Sequence, residues 1–300
     1  ADGGMVVPPD VAVVEFGQGA IIRHQDGIVQ LSDATSFRSE ASNLAWILPL
    51  PAEPAVDSFR LALLDELHYY CRPIYRGGSG FGCAADAPRT LGYGDSLGVE
   101  EIEQGVIGLY DYLVLRTAVP ETLAAYLANH GYALPSNATA VFSHYTGKNW
   151  QYFVVARLSD SAEYYYDRSV GIRLTFATDS AVYPLYISRL SAEYSAVVLY
   201  VVADHRQMYS GARLFFSGRV DAGSFPSSPG FVDRPSHLTK LMKYYEPAAM
   251  EDITLRRAPD DREFRVIERG GGYIYGAIGG LIPLFGTVVF APRRRSRQDG

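Results

Sequence analysis

The sequence predicts an α+β fold: a strand-rich mixed extracytoplasmic domain with two main helices, followed by one C-terminal transmembrane helix. Three observations predict it. Short runs rich in Val, Ile, Tyr and Phe, bounded by Gly, Pro and Asp, recur along most of the chain. Two segments, one starting near Asp57 and one at Pro120, instead space their apolar residues as a helix does. Residues 270–292 carry no charge and lie between Arg269 and Arg293.

The elements follow in order. Residues 11–16, 20–24 and 27–31 read as short strands with Gly or Asp at the turns, a meander. Residues 44–50 form a strand closed by Pro51. Asp57 or Ser58 then caps a helix that buries Phe59, Leu63, Leu64 and Leu67 and ends near Cys71. The glycine-rich stretch 72–96 fits neither period and is expected to be an exposed loop. A strand pair follows at 99–103 and 110–116. Pro120 suits the first position of the second helix, Leu123, Tyr126 and Leu127 face inward, and Gly131 sits where a left-handed residue ends it. Further strands are expected at 152–158, 171–176, 183–190, 196–203 and 213–218.

Beyond Val220 the stretch 221–236 holds Pro226, Pro229, Pro235 and four serines, and reads as a linker or an extended arm wrapping a neighbour. A short helix over 237–245 and two short charged strands lead to Arg269. The expected division is an extracytoplasmic α+β domain at 1–220, a Pro-rich arm and juxtamembrane segment at 221–269, a transmembrane helix at 270–292 and a cytoplasmic basic tail at 293–300.

The uncharged run would be about 34 Å long as a helix, enough to cross a hydrocarbon layer of about 30 Å. Arg293, Arg294, Arg295 and Arg297 flank it on the C-terminal side. By the positive-inside rule they hold the tail in the cytoplasm and leave the large domain periplasmic or extracellular, a single pass through the cell membrane. Tyr273 and Tyr275 would lie at the outer interface. Gly272, Gly276 and Gly280 recur every four residues and form a stripe on which another helix can pack closely. A buried core segment is the alternative, since Gly is frequent here and Pro283 interrupts the run. The chain opens on ADGGM, small residues of the kind left by signal-peptide cleavage, although a start set by cloning would look the same.

The net charge is −6, and four arginines fall in the last eight residues, so the body of the chain is more acidic still. Without clustered Lys and Arg there is little to attract a polyanion, and nucleic acid is not an expected partner. Two Cys against 22 Tyr exclude a disulfide-dense miniature scaffold.

Several long segments carry a resemblance. They are the opening ADGGM, TSFRSEASNLAWILPLPAEP at 35–54, GLYDYLVLRTAVPETLAAYLANHGYALP at 108–135, NWQYFVVARL, GIRLTFATDSAVYPLYISRL, and VLYVVADHR ending at Arg206. Together they resemble the bacterial family known as domain of unknown function 2330. The resemblance implies export, often with a C-terminal membrane segment, and brings no established activity or catalytic residues. It spans residues 1–206; the region 210–269 stands outside it.

Candidate chemistry is sparse. Outside the cytoplasm, Cys71 and Cys83 are expected to form a disulfide closing the Gly-rich loop, worth about 2 to 3 kcal/mol. Asp204, His205 and Arg206 form the densest ionisable cluster, but neighbours in an extended segment face opposite ways, so Asp204 cannot orient His205 as a triad acid would. A structural role for His205 is expected. His24, His68, His130, His144 and His237 show no metal-ligand spacing. Gly78, Gly80, Gly82, Gly92, Gly94 and Gly98 lack the strand-to-helix context of a phosphate loop, and Ser79 belongs to no nucleophile elbow. No cofactor is expected. The groups Tyr164 to Tyr166, Tyr244 with Tyr245, and Trp150 with Tyr152 could supply a stacking or contact surface, and could equally be core.

The expected function is a non-enzymatic membrane-anchored scaffold or accessory subunit, docking on the extracytoplasmic face of a larger membrane complex, for example an electron-transport or light-harvesting one. Its expected partners are other membrane-protein subunits, met through the transmembrane helix and the Pro-rich arm, and membrane lipid. The alternative is an envelope enzyme or carbohydrate-binding protein with a cleft near Asp204 and His205. A deep pocket with convergent polar groups would favour it.

Overall fold

A computed structural model describes residues 4–6, 13–15, 18–33, 37–39, 45–75, 99–107, 110–158, 170–190 and 194–268. In chain order the strands of its two large sheets are β1 (Gly4–Val6), β2 (Gln18–Gln25), β3 (Ile28–Asp33), β4 (Ala45–Leu50), β5 (Ala55–Arg60), β6 (Glu100–Ile107), β7 (Tyr110–Arg116), β8 (Tyr152–Leu158), β9 (Val170–Ala177), β10 (Ser195–Ala203), β11 (Arg213–Val220), β12 (Ser236–Tyr245) and β13 (Phe264–Arg265). The helices are α1 (Ala62–Tyr70), α2 (Pro120–Asn129) and α3 (Ala138–Thr146). One sheet has five strands, ordered β1-β4-β8-β7-β6; the other has eight, ordered β13-β11-β12-β10-β2-β3-β9-β5.

Side-chain alternation divides these strands between three cores. Along β10, Val197, Leu199 and Val201 face one core while Val198, Tyr200 and Val202 face another. Along β8, Val154 and Ala156 join that same first core while Phe153 and Val155 turn to a third. The two sheets therefore pack face to face over a shared core. Leu63 and Leu67 of α1, with Phe225, Phe231 and Val232, cover the outer face of the eight-stranded sheet. Leu123 and Leu127 of α2, with Val141, Phe142 and Tyr145 of α3, cover the five-stranded one. Each fully buried Leu contributes about 1.5 to 3 kcal/mol, so a layer needs only a few such residues to hold a short helix.

The fold is the strand-rich α+β class the sequence predicts, with α3 added to the two expected helices. Helix α2 follows its sequence signals: Pro120 stands at its start and Gly131, at φ +86°, just past its end. Three elements differ. Asp57, Ser58 and Phe59 lie in β5, because β9 accepts residues 55–60 as an edge partner; α1 starts later, at Ala62, with no side-chain cap. Residues 183–190 are not one strand. Pro184, which has no N–H to give a ladder, follows the short strand Val182–Tyr183, and Tyr186–Leu190 wind into a 3-10 turn. Residues 237–245, expected as a helix, form β12 between β10 and β11, paired on both sides. The Pro-rich stretch before it lays Phe225, Phe231 and Val232 against α1, and Ser227 donates to Glu66 from both its N–H (3.1 Å) and its hydroxyl (2.7 Å). The neighbour it wraps belongs to its own domain.

Residues 270–292 with Gly272, Gly276 and Gly280, the tail with Arg293, Arg294, Arg295 and Arg297, and the loop with Cys83 lie outside the described residues. Among the described residues no helix is long and apolar enough to cross a membrane.

Candidate functional site

The charged cluster marked by Asp204 gathers at one end of the eight-stranded sheet. The β2–β3 hairpin turns on Asp26 and Gly27, both at positive φ (53° and 73°), the two-residue turn an Asp-Gly pair favours. β10 runs parallel to β2, so Asp204, just past Ala203, arrives beside that turn. Arg234 bridges the two, donating to Asp26 at 2.8 and 3.2 Å and to Asp204 at 3.1 Å. Gln25 donates to Asp204 and Ser236, and Arg23 meets Asp233 at 2.6 Å.

His205 turns away, its Nδ1 2.8 Å from Asp261. The Arg206 N–H donates to the same carboxylate, and its guanidinium meets Asp260 at 2.9 Å. Asp204 and His205 thus take different partners, in a bend just past the end of β10 rather than in the extended segment the sequence suggests. The hydrogen bond from His205 holds the Asp261 carboxyl below the usual carboxylate range, and Arg234 does the same for Asp26. Carboxylates held ionised this firmly are weak proton acceptors near neutral pH. Beside them an open depression of about 230 Å³ is lined by Arg23, Gln25, Asp26, Ile28 and Gln30.

Ser217 and His237 form the one close serine–histidine pair among the described residues, Oγ to Nε2 at 2.7 Å. Both are buried, and Ser217 Oγ donates to the carbonyl of Arg262 at 3.0 Å. His237 is then the donor to Ser217. The serine proton is committed elsewhere, so the imidazole does not activate it.

Two further clusters escaped sequence reasoning because their members are far apart in the chain. Asp252, nearly buried, accepts from Tyr145 Oη (2.8 Å), the Tyr186 N–H (2.9 Å) and Lys148 (2.8 Å), with His144 Nε2 at 3.0 Å. His144 stacks on Tyr186 with ring centroids 3.6 Å apart. This hub ties α3 to the 3-10 turn. Under α1, Lys240 lies 5.1 Å over the Tyr200 ring, and Tyr200 Oη is 3.5 Å from His68. Burial lowers the Lys240 amine and pushes the nearby Cys71 thiol up to about 12, which keeps it protonated and unreactive. Cys71 is buried and pairs with no cysteine among the described residues; its expected partner Cys83 lies outside them.

The remaining candidates are placed plainly. His24 meets the Thr178 carbonyl at 3.2 Å and His130 the Tyr126 carbonyl at 2.8 Å. Tyr244 is exposed, Tyr245 buried, and Trp150 and Tyr152 half-buried; Tyr164 to Tyr166 and the glycines at 78–98 lie outside the described residues. Among the described residues no group of three or more His, Cys, Asp or Glu could hold a metal ion.

Residues 1–255 match a family model described as "uncharacterized protein conserved in bacteria (DUF2330)". The match runs past Arg206 and through β12. Comparison with curated proteins finds no match. Among solved structures, a mutated baculovirus P35 after caspase cleavage is similar at TM-score 0.40 and 9% identity, over 81% of this chain and 98% of that one. Baculovirus P35 gives 0.37 and 9%, over 88% and 99%. The caspase-8/P35 complex gives 0.35 and 9%, over 85% and 97%. Likeness of this degree carries no argument.

Proposed function

The chain belongs to the DUF2330 family of bacterial proteins, and from that premise we propose that it is a membrane-anchored scaffold or accessory subunit without catalytic activity. Its domain stands outside the cytoplasm and docks on a larger membrane complex, of which an electron-transport or light-harvesting assembly is an example. The observation that carries this reading is the short sequence distance between a paired segment of the domain and the uncharged run. Ile267–Glu268 pair in parallel with Ile74–Tyr75, and the next residue is Arg269, followed at once by the uncharged run 270–292. A membrane helix formed by that run would hold the domain close to the membrane.

The closure of the ionisable clusters supports the same reading. Asp204, His205, Ser217, His237 and Asp252 each hydrogen-bond to other groups of the protein itself. Protease added to intact spheroplasts is expected to remove the large domain; full protection of that domain would overturn the topology.

One observation favours the alternative of a carbohydrate-binding protein or envelope enzyme: the open depression at Arg23, Gln25 and Asp26, beside Asp204. Glycan binding abolished by Arg23→Ala would establish it.

A further inference from the structure

Exposed single apolar side chains are ordinary on a protein surface, whereas exposed apolar side chains gathered at one place call for a cause. Among the described residues, Tyr69, Ile74, Phe264 and Ile267 are four of the nine large apolar side chains that are exposed. All four come from two short segments that lie against each other. The Ile74 N–H donates to the Val266 carbonyl at 3.0 Å, Arg265 donates to the Tyr70 carbonyl at 2.9 Å, and Ile267 is the register partner of Ile74. Ile74 is 47% and Ile267 56% exposed, side by side.

The chain's path gives this edge a direction. From the charged end of the sheet, where Asp261 meets His205, residues 264 to 266 run antiparallel to β11, pairing with Ser217, Phe216 and then Phe215. They move away from that charged end and toward Arg213. Ile267 is reached last, three residues before Gly270, so it lies within about 11 Å of the uncharged run. Beside it the Arg72 guanidinium sits 3.8 Å over the Tyr69 ring. Aromatic and apolar side chains with a basic neighbour are the composition found at the boundary between water and hydrocarbon. Glu263 and Glu268 bracket the second segment, so anionic lipid is not required.

We infer that the edge formed by Tyr69, Ile74, Phe264 and Ile267 rests on the lipid surface and sets the domain's orientation, with the charged end around Asp204 and Arg234 pointing away from the membrane. The inference rests on the membrane anchorage proposed above. It goes further in fixing which face of the domain touches lipid.

The test uses the full chain reconstituted into phosphatidylcholine vesicles carrying brominated acyl chains, which quench tryptophan held at the interface. Ile267→Trp and Ile74→Trp each add one reporter; Ile28→Trp, in the hairpin at the opposite end of the sheet, is the control. Loss of the added emission at 267 and 74, with emission at 28 unchanged, is the expected result. If the protein floats with the vesicles but neither reporter is quenched, anchorage stands and the lipid-facing edge is overturned. If the protein does not float with the vesicles, anchorage fails and the edge fails with it. Equal quenching at all three positions would also overturn the stated orientation.

Discussion

Ser217 Oγ lies 2.7 Å from His237 Nε2 across adjacent strands, with both side chains buried. Burial holds His237 below the ordinary imidazole value of 6.5, and His68 is displaced the same way. The fold therefore keeps these rings neutral where the unfolded chain begins to bind protons. Stability is full above about 6.5 and is lost as pH falls from there toward the lower folded values. The unfolding temperature is expected to drop between about pH 7 and pH 5, and His237→Gln to flatten that drop. An unchanged pH profile in the variant would show that His237 does not contribute.

Gly171 of β9 faces Phe59 across the β5–β9 pair. A methyl group there would run into the Phe59 ring and stand 2.6 Å from the Asp33 carbonyl oxygen, a backbone atom that cannot move aside cheaply. Gly171→Ala is expected to destabilise the domain by about 1 to 3 kcal/mol, read from urea unfolding. A midpoint equal to wild type would contradict the packing described for this edge.

Asp252 separates charge from hydrogen bonding in its hub. Asp252→Ala strands the Tyr145 hydroxyl and the Tyr186 N–H and should cost about 2 to 4 kcal/mol. Asp252→Asn keeps an acceptor for both and loses chiefly the attraction to Lys148, which is half-exposed and screened, so about 1 kcal/mol is expected. Equal losses in the two variants, measured by chemical denaturation, would contradict this division.

Much of the fold was legible because single segments carry their own signals. Helix α2 has Pro120 and Gly131 at its ends, and β8 and β10 are dense in Val and Tyr. The failures have a physical pattern. In β12, Leu238, Leu241, Met242 and Tyr245 recur at i, i+3, i+4 and i+7, the spacing of a helical face, and in α3 Ala138, Val141, Phe142 and Tyr145 recur at the same intervals. One segment is a strand and the other a helix. Strand β12 lies between two partners with core on both faces, so it loses the alternation by which a half-exposed strand is recognised. Only the long-range pairing decides between the two, and it is written nowhere in either segment. The candidate sites divide likewise. Asp204, His205 and Arg206 are visible as a cluster because they adjoin in the sequence, whereas their partners, like those of Asp252 with Tyr145 and Lys240 with Tyr200, are brought in by tertiary contacts alone.

Gly276 and Gly280 recur four residues apart in the uncharged run. If that run is a helix packed against a partner's helix, replacing both with Leu should release the protein from its complex while leaving it inserted, because the larger side chains hold the backbones apart. Unchanged co-purification of Gly276→Leu/Gly280→Leu would reduce the segment to a tether.

Purification of the full chain from its native membrane in mild detergent tests the scaffold reading most directly. The protein is expected in the membrane fraction and should elute with integral-membrane subunits in fixed proportion. Recovery from the soluble fraction, or elution from the detergent extract as a free monomer, would contradict it.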